Sequence, residues 1–213
     1  MNCSRRLRPR ARDAPGLALV TRFVLATANP HKASEICAVL EPLGYTLLER
    51  PEHVGDVEET EATLEGNALL KARALVEATA LAALADDTGL FVDGLEGRPG
   101  VHSARYAGEH ATFAQNVAKL LGELNGVPAA SRRAAFRTVI AVAYPDGSEF
   151  WVEGVLAGRI IESPRGDGGF GYDPVFVPDD AGGRTLAELS GEEKNALSHR
   201  GLALRALAEG LVK

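Results

Sequence analysis

The sequence predicts an α/β fold built on a mixed β-sheet, and three observations carry that prediction. Short apolar, strand-like runs alternate with longer segments of helical periodicity along the body of the chain. Two β-rich runs meet at Pro145-Asp146-Gly147, the chemistry of a hairpin turn, so part of the sheet is antiparallel. At 213 residues, 46% hydrophobic and 24% charged, the chain has the balance of one large domain that buries about 70% of its unfolded surface.

Each element has its own signal. RFVLATA (22–28) reads as a first buried strand, and the helix after it has Asn29 as cap, Pro30 at its first position and Ile36, Val39, Leu40 and Leu43 as its apolar face. YTLLE (45–49) is a second short strand. After the acidic loop VGDVEETEAT, the segment LEGNALLKARALVEATA is helical, and LAALADD is a strand that ends at Asp86 and Asp87. A glycine-rich loop leads to a third helix around Thr112 to Leu124. The hairpin follows, then the loop SPRGDGGFGYDPVF, and LSGEEKNALSHRGLALRALAEGLV closes the chain as helix, with Ser190 and Glu193 spaced as a capping box.

Charge and cysteine usage narrow the function classes. Residues 1–22 hold six arginines against Asp13, a balance of +5, which leaves −11 for the remainder of a chain whose net charge is −6. Residues 1–20 read as an Arg-rich, disordered extension and 21–213 as a single domain. So acidic a body is a poor general binder of nucleic-acid backbone, and an anionic ligand must meet a local cluster of cations or arrive with a metal. No run approaches the roughly 18 apolar residues of a membrane span. Cys3 and Cys37 show neither metal-ligand spacing nor the density of a secreted scaffold, which fits a reducing cytoplasm.

Several clusters have chemical potential, each with a plainer reading beside it. Thr27, Asn29 and Lys32 gather at a helix N-terminus, where free N–H groups suit a phosphate, although an ordinary capped helix start looks the same. Asn67 and Lys71 share a helix face, as a solvated lysine also would. Glu58 and Glu59 with the strand-end carboxylates could hold a hard divalent ion such as magnesium; alternatively, Asp86 and Asp87 cap a turn at Thr88-Gly89. Being adjacent on a strand, the two aspartates point to opposite sides and do different jobs. In GDGGFGYDP, Phe170 and Tyr172 beside Asp173 offer rings and an acceptor to a nucleobase, or are core aromatics of a surface turn. Lys194, His199 and Arg200 lie close together with no Ser or Cys nucleophile nearby, so His199 reads as a binding residue.

Six blocks in order, LATANPHK, EETEATLEGNALLKA, ADDTGL, GLEGRPGVHSARYAG, GGFGYDPVF and EEKNALSHRG, resemble the inosine triphosphate pyrophosphatase family over about residues 22 to 211. The resemblance implies an elongated mixed sheet with helical lobes around a central nucleotide-binding cleft, a homodimer, and Mg2+-dependent hydrolysis of inosine, deoxyinosine and xanthosine triphosphates to monophosphate and pyrophosphate. By resemblance, Asp87 is proton acceptor and metal ligand, Glu58 a second metal ligand and Thr88 a substrate contact. Thr27, Ala28, Asn29, Pro30, His31, Lys32, Lys71 and Arg105 embrace the triphosphate. Phe170, Gly171, Tyr172, Asp173, Lys194, His199 and Arg200 form the nucleoside-binding set. The chain departs from the family at Ala28 for glycine, at His31 for a small residue and at Thr88 for serine. Alternative readings are a pyrophosphatase of modified pyrimidine nucleotides and a non-catalytic nucleotide- or nucleic-acid-binding protein that uses the arginine arm.

Overall fold

The computed structural model describes residues 22–27 and 29–211; the Arg-rich stretch and Ala28 lie outside the described residues. In chain order the elements are β1 (Arg22–Leu25), α1 (Pro30–Leu40), β2 (Thr46–Leu48), α2 (Leu64–Thr79), β3 (Ala83–Val92) and β4 (Pro99–Gly100). They continue as α3 (Phe113–Glu123), β5 (Arg133–Ala143), β6 (Glu149–Ile160), β7 (Phe176–Pro178), α4 (Gly191–Leu197) and α5 (His199–Leu211). One seven-stranded sheet runs β2-β1-β3-β5-β6-β7, with β4 paired to the far end of β3. β1 is parallel to β2 and β3, and the other pairings are antiparallel, so the predicted mixed sheet is present.

Local chemistry explains most element starts. Asn29 accepts from the His31 and Lys32 N–H groups and Pro30 occupies the first turn of α1. Thr112 with Gln115 and Ser190 with Glu193 form reciprocal capping boxes on α3 and α4. β6 alternates exposed and buried positions along its length, the period-2 pattern of a sheet with one covered face.

Three expectations differ from the structure. The terminal helix is two helices, broken at extended Ser198, whose hydroxyl accepts from Gly201 N and restarts the chain as α5. Leu43 lies beyond α1 in a 3₁₀ turn opened by Pro42 and is exposed, so it adds nothing to the α1 core face. Most consequentially, β3 does not end at the aspartates. It continues for ten residues, pairing with β5 from Ala83↔Ala143 to Val92↔Ala134, and Thr88-Gly89 is strand rather than turn.

That extension creates the cleft. β1 pairs with β3 at Val24↔Ala83 and Leu25↔Leu84 and then stops, while β4 joins the same edge only at Leu90↔Gly100. Between those pairings, β3 has no strand partner on this edge among the described residues, and Asp86 and Asp87 lie in the gap. The core divides accordingly. On one sheet face Ala72 and Leu75 of α2 pack on Ala83 and Ala85; on the other, Ile36 of α1 and Leu204 of α5 pack with Leu84 and Ile140. Beyond the gap, Leu120 of α3 joins Leu90, Phe136 and Phe176 in a second lobe. α5 sits against β6 over Gly154, where a Cβ would run into the His199 carbonyl oxygen; this close approach seats the first turn of α5.

Candidate active site

The two aspartates face opposite ways, as alternation along a strand requires. Asp87 points to the α2 side, where its Oδ2 accepts from Asn67 Nδ2 at 3.3 Å and its Oδ1 from Lys71 Nζ at 3.3 Å. Lys71 also reaches Glu59 Oε1 at 2.9 Å, and Arg105 donates to Glu59 Oε2 at 3.1 Å. Asn67 and Lys71, four residues apart, therefore do share one face of α2. Asn67 also fixes the incoming loop, accepting from Glu61 N at 3.0 Å.

Asp86 points the other way, into a cationic nest. Lys32 Nζ stands 3.1 Å from its Oδ2, and Arg200 donates to the same oxygen from Nε at 3.3 Å and Nη2 at 3.1 Å. Its Oδ1 is buried with no hydrogen-bond partner. Arg200, 1% exposed, also donates to Thr88 Oγ1 at 3.1 Å and to Glu35, which in turn holds Lys194 at 2.7 Å. Lys194 reaches Asp173 Oδ2 at 2.8 Å, and that oxygen accepts from Phe170 N at 2.8 Å. One ionic chain thus runs from the start of α1 through β3 and α5 to the glycine-rich loop. His199 Nδ1 lies 2.6 Å from Thr138 Oγ1, itself 2.7 Å from Thr88 Oγ1.

The electrostatics follow from these contacts. Burial would raise Asp86, but Lys32, Arg200 and Lys71 outweigh it and hold the carboxyl far below the usual range. Asp87 moves the opposite way: burial pushes it up, and Glu59 and Asp86 add to the rise against the pull of Lys71. Burial also opposes ionisation of Glu59, yet Lys71 and Arg105 bring it below its ordinary value. Burial, with Arg200 and Lys194 beside it, keeps His199 well below 6.5, so its imidazole is neutral near pH 7.

A cavity of about 600 Å³ opens between these groups, with Thr27, Asn29, Lys32, Lys71, Glu59 and Arg105 on its wall. Five residues of the predicted phosphate set therefore converge, with Glu59 and Asp86 on the same wall. Thr27 Oγ1 accepts from Asn29 N at 3.1 Å and steadies the turn. Pro30 and His31 are exposed, and Ala28 lies outside the described residues. Of the two loop glutamates, Glu58 is exposed on the cavity rim, and Glu59 is the one brought to Lys71 and Asp87. In the predicted nucleoside set, Phe170 and Gly171 are half-buried at the loop, whereas Tyr172 is core: its ring is 4% exposed and its hydroxyl donates to Ser103 O at 2.9 Å. Gly171 has φ +63°, and Gly169 has φ +71° with a Cβ position blocked by the Asp173 carboxylate, so the loop requires glycine to bring Phe170 N onto Asp173.

Sequence reasoning missed Glu35 and Thr138. Glu35 had a signal: it follows Lys32 by three residues on α1, on the same side, and buried Lys194 and Arg200 need a carboxylate. Thr138 had none, because only the β3–β5 register, Thr88↔Thr138, puts it there.

Fold and site together define a class: a mixed-sheet α/β protein whose cleft sets lysines, an arginine and a capped helix start around paired carboxylates, fitted to a polyanion that carries a cation. The model of the Ham1 family matches residues 23–210. The dITP/XTP pyrophosphatase of Geobacter sulfurreducens is 51% identical, with 90% of this chain and 97% of that one covered. That of Bacillus subtilis is 44% identical over 91% and 98%. Among solved structures, a HAM1 protein from Coxiella burnetii superposes with a TM-score of 0.82 at 42% identity, covering 90% of this chain and 98% of the other. The chain belongs to the Ham1 family.

Proposed function

We propose that this chain is a nucleoside triphosphate pyrophosphatase that hydrolyses the deaminated purine nucleotides ITP, dITP and XTP to nucleoside monophosphate and pyrophosphate. The observation that carries the reading is the group Glu59, Lys71 and Asp86 on the wall of one cleft with Lys32, Arg105 and the Asn29-capped start of α1, and Asp87 bound to Lys71 beside it. Relatives named dITP/XTP pyrophosphatase at about half identity over nine-tenths of the chain support it.

A divalent ion fits the donor set. Glu59 and Asp87 present carboxylate oxygens to one point, where Lys71 stands, and Asp87 is pushed up by burial first and then by the charges of Glu59 and Asp86, which an added cation would offset. Among the described residues no three ligating side chains form a cage, so an ion here relies on water and phosphate oxygens for its remaining ligands, the habit of magnesium. Glu59 and Asp87, rather than Glu58, would hold it, and bound there it would supply Lewis-acid polarisation of the phosphates.

The chain's own residues supply the rest. Lys32, Lys71 and Arg105 neutralise the triphosphate and the charge that grows on the departing pyrophosphate. Asp87, with its proton affinity raised, takes a proton from the attacking water on a carboxylate oxygen, while Asn67 and Lys71 fix its orientation. Arg200 commits four N–H groups to Asp86, Thr88 and Glu35, which leaves one at Nη1 for the 6-keto oxygen of hypoxanthine or xanthine. Adenine carries an amino donor at that position and would leave this N–H unpaired.

The assembly is a homodimer and the compartment the cytoplasm. Trp151 and Val155 are exposed together on β6, an apolar face suited to a second subunit, and among the described residues no helix is long and apolar enough to cross a membrane. The test is product analysis with magnesium and ITP, beside ATP and GTP. Monophosphate plus pyrophosphate from ITP, with the other two nearly untouched, is the expected outcome; diphosphate plus phosphate, or equal turnover of ATP, contradicts it.

A further inference from the structure

His31 follows Pro30 in the first turn of α1, between the cavity-lining Asn29 and Lys32, with its backbone N–H tied to Asn29 Oδ1 at 3.0 Å. Its exposed ring stacks on Phe170 of the glycine-rich loop, with centroids 5.2 Å apart and planes 15° from parallel. The only other ring pair on Phe170 among the described residues is Phe113, at 6.0 Å and tilted by 44°. Lys194 Nζ lies 4.6 Å from the same ring. Phe170 itself is fixed from behind, because its N–H bonds to the buried Asp173 carboxylate.

We propose that His31 occupies the stacking face of Phe170 in the free protein, so that a purine base must displace the imidazole in order to bind. This deepens the reading above and rests on it. The imidazole is planar and has the size of the five-membered half of a purine, and it already holds the near-parallel geometry that a base would adopt. A separation of 5.2 Å leaves no space for a third ring between the two. The base therefore gains only the difference between its own stacking and that of His31. Displacement needs side-chain rotation alone, since Pro30 and the Asn29 cap hold the backbone. His31 is thus an affinity-determining residue, a competitor for the base.

The test compares wild type with His31→Ala, His31→Phe and Phe170→Leu, by calorimetric affinity for inosine monophosphate and by the KM and kcat for ITP. The monophosphate isolates the base from the triphosphate contacts. His31→Ala is expected to tighten monophosphate binding by about 2- to 10-fold, the span of one aromatic pair, with the change in turnover falling on KM rather than kcat. His31→Phe is expected to weaken binding, and Phe170→Leu to weaken it as well. Unchanged or weaker binding by His31→Ala overturns the inference: the base then uses another surface, or His31 itself assists it. If Phe170→Leu leaves monophosphate binding intact while ITP turnover persists, the inference falls and the proposed function stands. If monophosphate binding responds to His31 as stated but no triphosphate is cleaved, the inference stands and the reaction assignment falls.

Discussion

The two faces of β3 at the cleft can be compared residue against residue. On one face Asp86 is enclosed by Lys32 and Arg200, is 2% exposed and is held ionised far below the ordinary carboxylate range. On the other, Asp87 shares Lys71 with Glu59, and its proton affinity is raised. Identical side chains one position apart thus differ in sign of shift because the sheet sends them to different helices. A carboxylate that cannot give up its charge organises cations; one whose charge is contested by its neighbours is suited to exchange a proton or meet a cation.

This contrast can be broken from either side. The largest expected effect is on stability: Asp86→Ala leaves Arg200 and Lys32 without their shared partner and is expected to cost about 3–5 kcal/mol, read by denaturant unfolding. A loss near zero would mean that Glu35 and Thr88 alone satisfy Arg200. A smaller effect distinguishes the loop glutamates. Glu59→Gln is expected to reduce ITP turnover on the order of tenfold or more, as loss of a charged group at the cation and phosphate site, whereas Glu58→Gln stays close to wild type in kinetic assays. The reverse ranking would return the role to the exposed residue.

The smallest effect is a pH dependence on the Asp86 face. Burial, with Arg200 and Lys194, keeps folded His199 well below 6.5, so below that pH the unfolded chain binds a proton that the folded chain does not. Stability accordingly rises with pH up to about 6.5 and gains nothing further from this group above it. His199→Asn is expected to flatten that part of the profile, measured by unfolding at several pH values. An unchanged slope would show that other groups cause it.

What the sequence disclosed was what local chemistry decides. Asn29-Pro30, Thr112 with Gln115, Ser190 with Glu193 and the Pro145-Asp146-Gly147 turn each act within a few residues, and each marks an element boundary. The aspartate pair was legible as a functional signal but misplaced at a strand end. Two charges disfavour a strand interior, and the cations that make them tolerable come from α1, α2 and α5, far along the chain. Glu58 and Glu59 are indistinguishable by type or periodicity in an irregular loop; only the folded path past Lys71 and Arg105 separates them. Tyr172 looked like a ligand-facing ring beside Phe170, yet its hydroxyl finds Ser103 O across the fold, a partner no local pattern announces.

The most direct measurement is paired kinetics and nucleotide affinity for Asp87→Asn, with folding checked by circular dichroism. If Asp87 exchanges the proton of the attacking water, turnover of ITP falls by about 10²- to 10⁴-fold while affinity for inosine monophosphate changes little. Near-normal turnover in a folded Asp87→Asn protein would contradict the division between the two aspartates and remove Asp87 from the chemistry.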